Sequence, residues 1–144
     1  MKTILIVEDN PIISKIYQAR FLKENFRVEV AENGLAAIKL LATLRPDLIL
    51  LDLLMPIMHG VDVLRFVRSS PVLKSTPVVI LSEAYMSDLA QEAAKIGAEL
   101  TLLKSSCTPD LMLDIANKIF AGVPIELDAD KMLAVRPKNS QDGR

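Results

Sequence analysis

Five short apolar runs recur along the chain at residues 3–7, 27–31, 48–51, 78–81 and 100–103. Four of them are almost wholly apolar, the pattern of strands buried on both faces of a parallel sheet. The second, Arg27-Val28-Glu29-Val30, alternates instead, which predicts a strand with one wetter face or an edge position. Helical spacing fills the gaps. Ile12, Ile13, Ile16, Tyr17 and Phe21 recur with Pro11 at the start, and Leu35, Ile38, Leu41 and Ala42 follow Asn33-Gly34 and stop before Pro46. Val63, Leu64 and Val67 form a third stripe ended near Pro71, and Leu89, Ala93 and Ile96 a fourth that Gly97 is placed to end. The last helix opens on Thr108-Pro109-Asp110: a hydroxyl cap, a proline at the first helical position and an acid in the first turn. Leu111, Ile115, Ile119 and Phe120 supply its apolar face.

Five strands alternating with five helices predict an α/β fold, a doubly wound parallel sheet with right-handed crossovers and helices on both faces. This unit is expected to occupy residues 1–121. Residues 122–144 read differently, with Pro124, Pro137 and a polar Asn139-Ser140-Gln141-Asp142-Gly143 end. They are too few for a second domain and are expected to be an extension without a separate output domain. Its apolar residues, Val123, Ile125, Leu127, Met132, Leu133 and Val135, predict partial docking on its own domain, with a partner-binding extension as the other reading.

Composition narrows the class. The 144 residues are 51% hydrophobic, enough for a sizeable core, and the absence of Trp makes that core mostly aliphatic. Seventeen Lys+Arg against 18 Asp+Glu leave a formal charge of −1, which argues against direct nucleic-acid binding. The single cysteine, Cys107, excludes an internal disulfide framework and fits a reducing compartment. The apolar start is cut off by Glu8 and Asp9, too short for a signal peptide or a membrane span, so a cytoplasmic location is expected.

Ligands of open α/β sheets bind beyond the carboxyl ends of the strands. Glu8 and Asp9 follow the first strand, Asp52 the third, Ser82 the fourth and Lys104 the fifth. Any one of these acids alone is ordinarily a cap or loop residue; their joint placement carries the argument. Clustered carboxylates raise one another's pKa unless a cation neutralises them. Oxygen ligands without His or thiolate suit a hard ion, Mg2+ above all. Lys104 and Ser82 suit phosphoryl oxygens, and a carboxylate beside Mg2+ and Lys is a competent nucleophile toward activated phosphorus. No glycine-rich phosphate loop follows any strand, and Glu8-Asp9-Asn10-Pro11 stands in its place.

Three segments, Ile6-Val7-Glu8-Asp9-Asn10, Asp47-Leu48-Ile49-Leu50-Leu51-Asp52-Leu53-Leu54-Met55-Pro56-Ile57-Met58-His59-Gly60 and Thr76-Pro77-Val78-Val79-Ile80-Leu81-Ser82, resemble the receiver domain of two-component response regulators, the stand-alone, chemotaxis-regulator-like kind. The resemblance runs from about Lys2 to Phe120. It implies a flavodoxin-like (βα)5 sheet with strand order 2-1-3-4-5. It implies that Asp52 accepts a phosphoryl group from a histidine kinase or phosphotransfer protein. Glu8, Asp9, Asp52 and the Leu54 main-chain carbonyl would surround Mg2+, while Ser82 and Lys104 would bind the phosphoryl oxygens. Output would pass to a downstream protein partner, from a monomer or a weak phosphorylation-dependent dimer. Beyond self-phosphorylation from a donor and autodephosphorylation, no enzymatic activity is implied.

The chain departs from the family pattern in several places. Ser105 follows Lys104 where the family usually has proline and a cis bond. A non-proline cis bond costs about 2.5–4 kcal/mol, so either the loop bears that strain or the bond is trans and Lys104 is aimed differently. Thr101 stands at the switch position, where an aromatic ring is usual, with Tyr85 as a candidate substitute. Glu83 follows Ser82 where a small residue is usual, so its carboxylate either crowds the donor or points into solvent. Leu54 is apolar where some members carry a polar residue that aids water attack, which predicts moderate to slow phosphate loss. A phosphorylation-independent interaction module draws support from Thr101, Ser105 and Glu83, and a phosphorelay intermediate is a third reading. An enzyme acting on a small phosphorylated substrate ranks last, because Leu54 stands where a second acid would be needed. His59 reads as a surface loop residue, Met55 and Met58 as loop packing, Cys107 as an inert thiol, and Arg65, Arg68 and Lys74 as a solvated helix face and loop.

Overall fold

The computed structural model describes residues 1–83, 86–127 and 131–135, the last four by their backbone alone. The strands are β1 (Thr3–Val7), β2 (Arg27–Ala31), β3 (Leu48–Asp52), β4 (Val78–Ser82), β5 (Leu100–Leu103) and β6 (Met132–Val135). Five helices separate the first five and follow the fifth: α1 (Pro11–Lys23), α2 (Gly34–Leu41), α3 (Gly60–Ser69), α4 (Ser87–Ile96) and α5 (Pro109–Ala121). The sheet order is β2-β1-β3-β4-β5-β6, parallel except for the antiparallel β5–β6 pair. The five parallel strands thus take the flavodoxin-like order 2-1-3-4-5.

Alternation along the buried strands splits the core in two. Leu5, Val7, Ile49, Leu51, Val78 and Ile80 face α2, α3 and α4, meeting Ala37, Leu41, Val63, Leu64, Val67, Ala90 and Ala93. Ile4, Ile6, Leu48, Leu50, Val79, Leu81, Leu100 and Leu102 face α1 and α5, meeting Tyr17, Phe21, Met112, Ile115 and Ala116. The alternating β2 lies at an edge, with Ala31 its one buried residue.

Helix starts follow local chemistry. The Asn10 side chain accepts the Ile12 and Ile13 N–H groups at 2.9 and 3.4 Å, and Pro11 takes the first position. At α5, Thr108 Oγ1 accepts the Leu111 N–H at 3.1 Å. Gly97 ends α4 at φ 124° and Gly122 ends α5 at φ 69°, conformations that disfavour a side chain.

The helical faces need correction. Ile12 and Ile16 are 69% and 51% exposed, and Leu35 and Leu89 are also exposed. Small residues carry much of the buried face: Ser14 in α1, Gly34 and Ala37 in α2, and in α4 Ala90 and Ala94 beside the expected Ala93. Arg68 is not a solvated cation. Its guanidinium donates to the carbonyls of Gly97 (2.8 and 3.1 Å), Thr76 (2.7 Å) and Lys74 (3.2 Å), tying the end of α3 to two loops. Arg65, by contrast, is exposed and pairs with Glu92.

The extension contributes to the sheet. Ile125 and Leu127 are half-buried against the α1–α5 side of the core, and residues 132–135 then pair with β5 as β6, a strand the apolar pattern did not single out. The polar end, 136–144, and the candidate ring Tyr85 lie outside the described residues.

Candidate functional site

The sheet order reverses at β1 and β3, and the acids sit at that reversal. Glu8 follows β1 and is 3% exposed; Asp52 closes β3 and is 4% exposed; Asp9 is open to solvent. One carboxylate oxygen from each lies within 4.8 Å of the other two. Lys104, opening a 3₁₀ turn directly after β5, sends its ammonium between them, 3.1 Å from Asp52 Oδ2 and 2.8 Å from Glu8 Oε1. The Asp52 contact is a hydrogen bond and the Glu8 contact a close ion pair, so one ammonium serves both buried carboxylates. Glu8 Oε2 accepts the Asn10 N–H at 3.1 Å, and Asp52 Oδ1 accepts the Leu54 N–H at 3.3 Å.

Gly60 holds this corner together. Its N–H donates to the Leu53 carbonyl at 3.1 Å, and a Cβ there would stand 2.4 Å from the Asp52 carbonyl oxygen. Only a residue without a side chain lets α3 begin against the end of β3.

Electrostatics follow from burial. Desolvation raises the Glu8 carboxyl to about 7, overcoming Lys104 and the Asn10 N–H, with the Asp52 charge adding to the rise. Burial likewise raises Asp52 despite Lys104. Burial works against the Lys104 charge, yet Glu8 and Asp52 together outweigh it and its pKa rises. The cluster carries more negative charge than one lysine neutralises. Two buried carboxylates sharing one lysine, with the Asp9 carboxylate beside them, are a donor set that a hard cation would complete.

The remaining predicted residues fall into place unevenly. Ser82, at the end of β4, is buried, and its hydroxyl donates to the Glu83 carbonyl at 3.2 Å. Glu83 is exposed. The Leu54 side chain points outward, half exposed, while its N–H serves Asp52. Thr101 is fully buried and its Oγ1 has no partner among the described residues. No cis peptide occurs among the described residues, so the Lys104–Ser105 bond is trans, and Lys104 nonetheless reaches Asp52. His59 is an exposed residue at the start of α3 without a side-chain capping bond.

Cys107 sits at the helix start where a thiol pKa can fall, but burial instead pushes it up to about 11. The Cys107 carbonyl accepts the Tyr17 hydroxyl at 2.7 Å, a buried tie between α1 and the loop after β5 that the sequence reading missed. Beside it lies a groove of about 190 Å³ lined by Ile13, Ile16, Tyr17, Lys104, Cys107 and Pro109. Among the described residues no helix is long and apolar enough to cross a membrane.

The chain belongs to the response regulator receiver domain family, whose model matches residues 4–116. It is 34% identical over 95 residues to the regulatory protein AtoC of Escherichia coli, a match covering 66% of this chain and 20% of AtoC. The chain spans less than two thirds of the length of the curated relatives it matches first. Among solved structures it resembles the chemotaxis response regulator CheY4 of Vibrio cholerae (TM-score 0.75, 26% identity, covering 83% of this chain and 98% of that one). It also resembles the Mn2+-bound form of the response regulator Rcp1 (TM-score 0.72, 29% identity, covering 90% and 100%).

Proposed function

We propose that the chain is a phosphorylation-gated receiver in which Asp52 accepts a phosphoryl group from a phosphohistidine of a histidine kinase or phosphotransfer protein. The observation that carries the reading is the Lys104 ammonium placed between Asp52 and Glu8, with Asp9 completing an over-charged carboxylate cluster. An Asp52 carboxylate oxygen attacks phosphorus, an acyl phosphate P–O bond forms, and the P–N bond to the donor imidazole breaks with its electron pair leaving on nitrogen. Lys104 turns from the carboxylate to the incoming phosphoryl oxygens, and the Ser82 hydroxyl, released from the Glu83 carbonyl, donates to another.

Glu8, Asp9, Asp52 and the Leu54 main-chain carbonyl are assigned to Mg2+, and the Mn2+-bound form of Rcp1 supports a divalent ion in such a fold. When bound, the ion supplies positive charge that lowers carboxylate repulsion and offsets the charge of the transferring group. The exposed Ile16 lines, with Ile13 and Pro109, the groove that Lys104 also lines, an apolar seat for the donor protein beside the site. Residues 1–121 form the receiver and 122–144 an extension of it. Output is assigned to contacts with a downstream protein rather than to nucleic acid, from a monomer or a weak phosphorylation-dependent dimer.

The second reading is a phosphorylation-independent interaction module. It is favoured by Thr101, fully buried where the family usually places its switch ring. Intact-protein mass spectrometry after incubation with acetyl phosphate separates the two. A single phosphoryl adduct that needs Mg2+ and disappears in Asp52→Ala is expected. Absence of any adduct with and without Mg2+ would favour the phosphorylation-independent module.

A further inference from the structure

The outer edge of β5 is filled by the chain's own β6. The register pairs Leu100 with Val135, Thr101 with Ala134 and Leu102 with Met132, with an irregularity between Thr101 and Leu102. Just beyond it, the Leu103 N–H donates to the Lys131 carbonyl at 2.9 Å. The next residue is Lys104, whose ammonium sits between Asp52 and Glu8. The attachment of β6 and the cation of the site are therefore neighbours on one backbone. β6 also runs beside α4.

We propose that β6 is a latch on the β5 edge that a phosphoryl group on Asp52 loosens, and that the closed latch in turn disfavours phosphorylation; this rests on Asp52 being the acceptor, as proposed above. The carboxylates lie at β1 and β3, on one side of β5, and β6 lies on the other. A phosphoryl group on Asp52 takes the Lys104 ammonium off the Asp52 and Glu8 carboxylates it now holds and onto phosphoryl oxygens. It also offers an acceptor to the Ser82 hydroxyl, now bonded to the Glu83 carbonyl. Ser82 stands opposite Leu103 in the β4–β5 register and Lys104 is the next residue, so both rearrangements converge on the end of β5, where Leu103 holds the Lys131 carbonyl.

The β5–β6 ladder is also the part of the sheet built to yield. It is four residues long on the β6 side, lies at the sheet edge and is broken by a register shift. At its middle, Thr101 is buried with a hydroxyl that has no partner among the described residues, a cost that opening to water relieves. Coupling between two sites is reciprocal in binding free energy, so whatever opens the strand must strengthen occupancy at Asp52 by the same factor.

Amide hydrogen exchange on the full chain tests this, comparing Mg2+ alone with Mg2+ plus beryllium fluoride as the phosphoryl mimic, while fluorine NMR reports whether the adduct forms. The amides of Leu103 and residues 132–135 are expected to exchange about tenfold faster in the adduct, with β1 and β3 unchanged. A second arm uses Ala134→Pro, which a paired strand interior does not accommodate, and is expected to bind beryllium fluoride tighter by a similar factor. An adduct formed with the latch amides unchanged or slowed overturns the proposal, as does unaltered affinity in Ala134→Pro. A missing fluorine signal overturns the assignment of Asp52 itself, and the latch with it.

Discussion

Ile57 holds a backbone conformation that its own side chain opposes. It sits at φ 72° in the loop after β3 and is 75% exposed. Left-handed backbone costs an L-residue roughly 1–2 kcal/mol, and branching at Cβ sharpens the clash. The chain's interior gains little in return, since most of the side chain faces water. Asn tolerates this region, so Ile57→Asn is expected to stabilise the fold by about 1 kcal/mol. Urea unfolding checks it: the midpoint rises with the slope unchanged. A midpoint that stays put or falls would mean that Ile57 makes a packing contribution larger than its exposure implies. The same loop holds Leu54 and Gly60 close to Asp52, so the variant should still form the phosphoryl adduct; its loss would place the loop conformation itself in the chemistry.

Among elements, the Arg68 side chain does what no residue on its own helix does. It bonds three carbonyls, from Gly97 at the end of α4 and from Lys74 and Thr76 before β4. A hydrogen bond to a charged group is worth about 1.5–3 kcal/mol, less where, as at the Lys74 carbonyl, the acceptor is open to water. Arg68→Ala is expected to lower stability by about 2 kcal/mol in urea unfolding. Arg65→Ala, which loses only the exposed pair with Glu92, is expected to cost well under about 1 kcal/mol. Equal losses at both positions would remove the distinction. This contrast shows where the sequence was legible. Buried strands announce themselves because both faces are apolar, and the acids, Ser82 and Lys104 are readable because each stands at a strand end. Arg68 was read as solvated because its acceptors lie far along the chain, up to 29 residues away, and charge alone says nothing of them. Ile12, Ile16 and Leu89 were assigned inward because apolar spacing does not distinguish a core stripe from an exposed one. Close packing on the sheet selects Ser14, Ala90 and Ala94, whose small size hides them from a hydrophobicity pattern, while Ala93 was read correctly. β6 was missed because its pairing depends on where α5 returns the chain, a non-local fact.

For the whole molecule, the carboxylate cluster makes stability depend on pH in a direction opposite to ordinary paired acids. Burial raises Glu8 from 4.5 to about 7 in the folded state, and Asp52 shifts the same way. Between those pH values the folded chain holds protons that the unfolded chain has released. Unfolded minus folded proton binding is then negative, so unfolding free energy falls as pH rises through this window and levels off above it. Lys104 has no part in that slope, since its pKa is raised above 10.5 and its stabilising charge persists throughout. The expected loss between about pH 5 and about pH 8 is on the order of 2 kcal/mol, after allowing for screening where Asp9 opens the cluster to water. Glu8→Gln should flatten most of it. Millimolar Mg2+ competes with those protons, so its stabilisation should grow with pH and offset the fall at the alkaline end. Urea midpoints across that range, with Mg2+ and with a chelator, measure both effects. A chelated protein whose stability climbs with pH would mean that Glu8 and Asp52 are ionised in the fold at low pH. Lys104 would then suffice to neutralise them, and the argument for a cation at the cluster would lose its electrostatic basis.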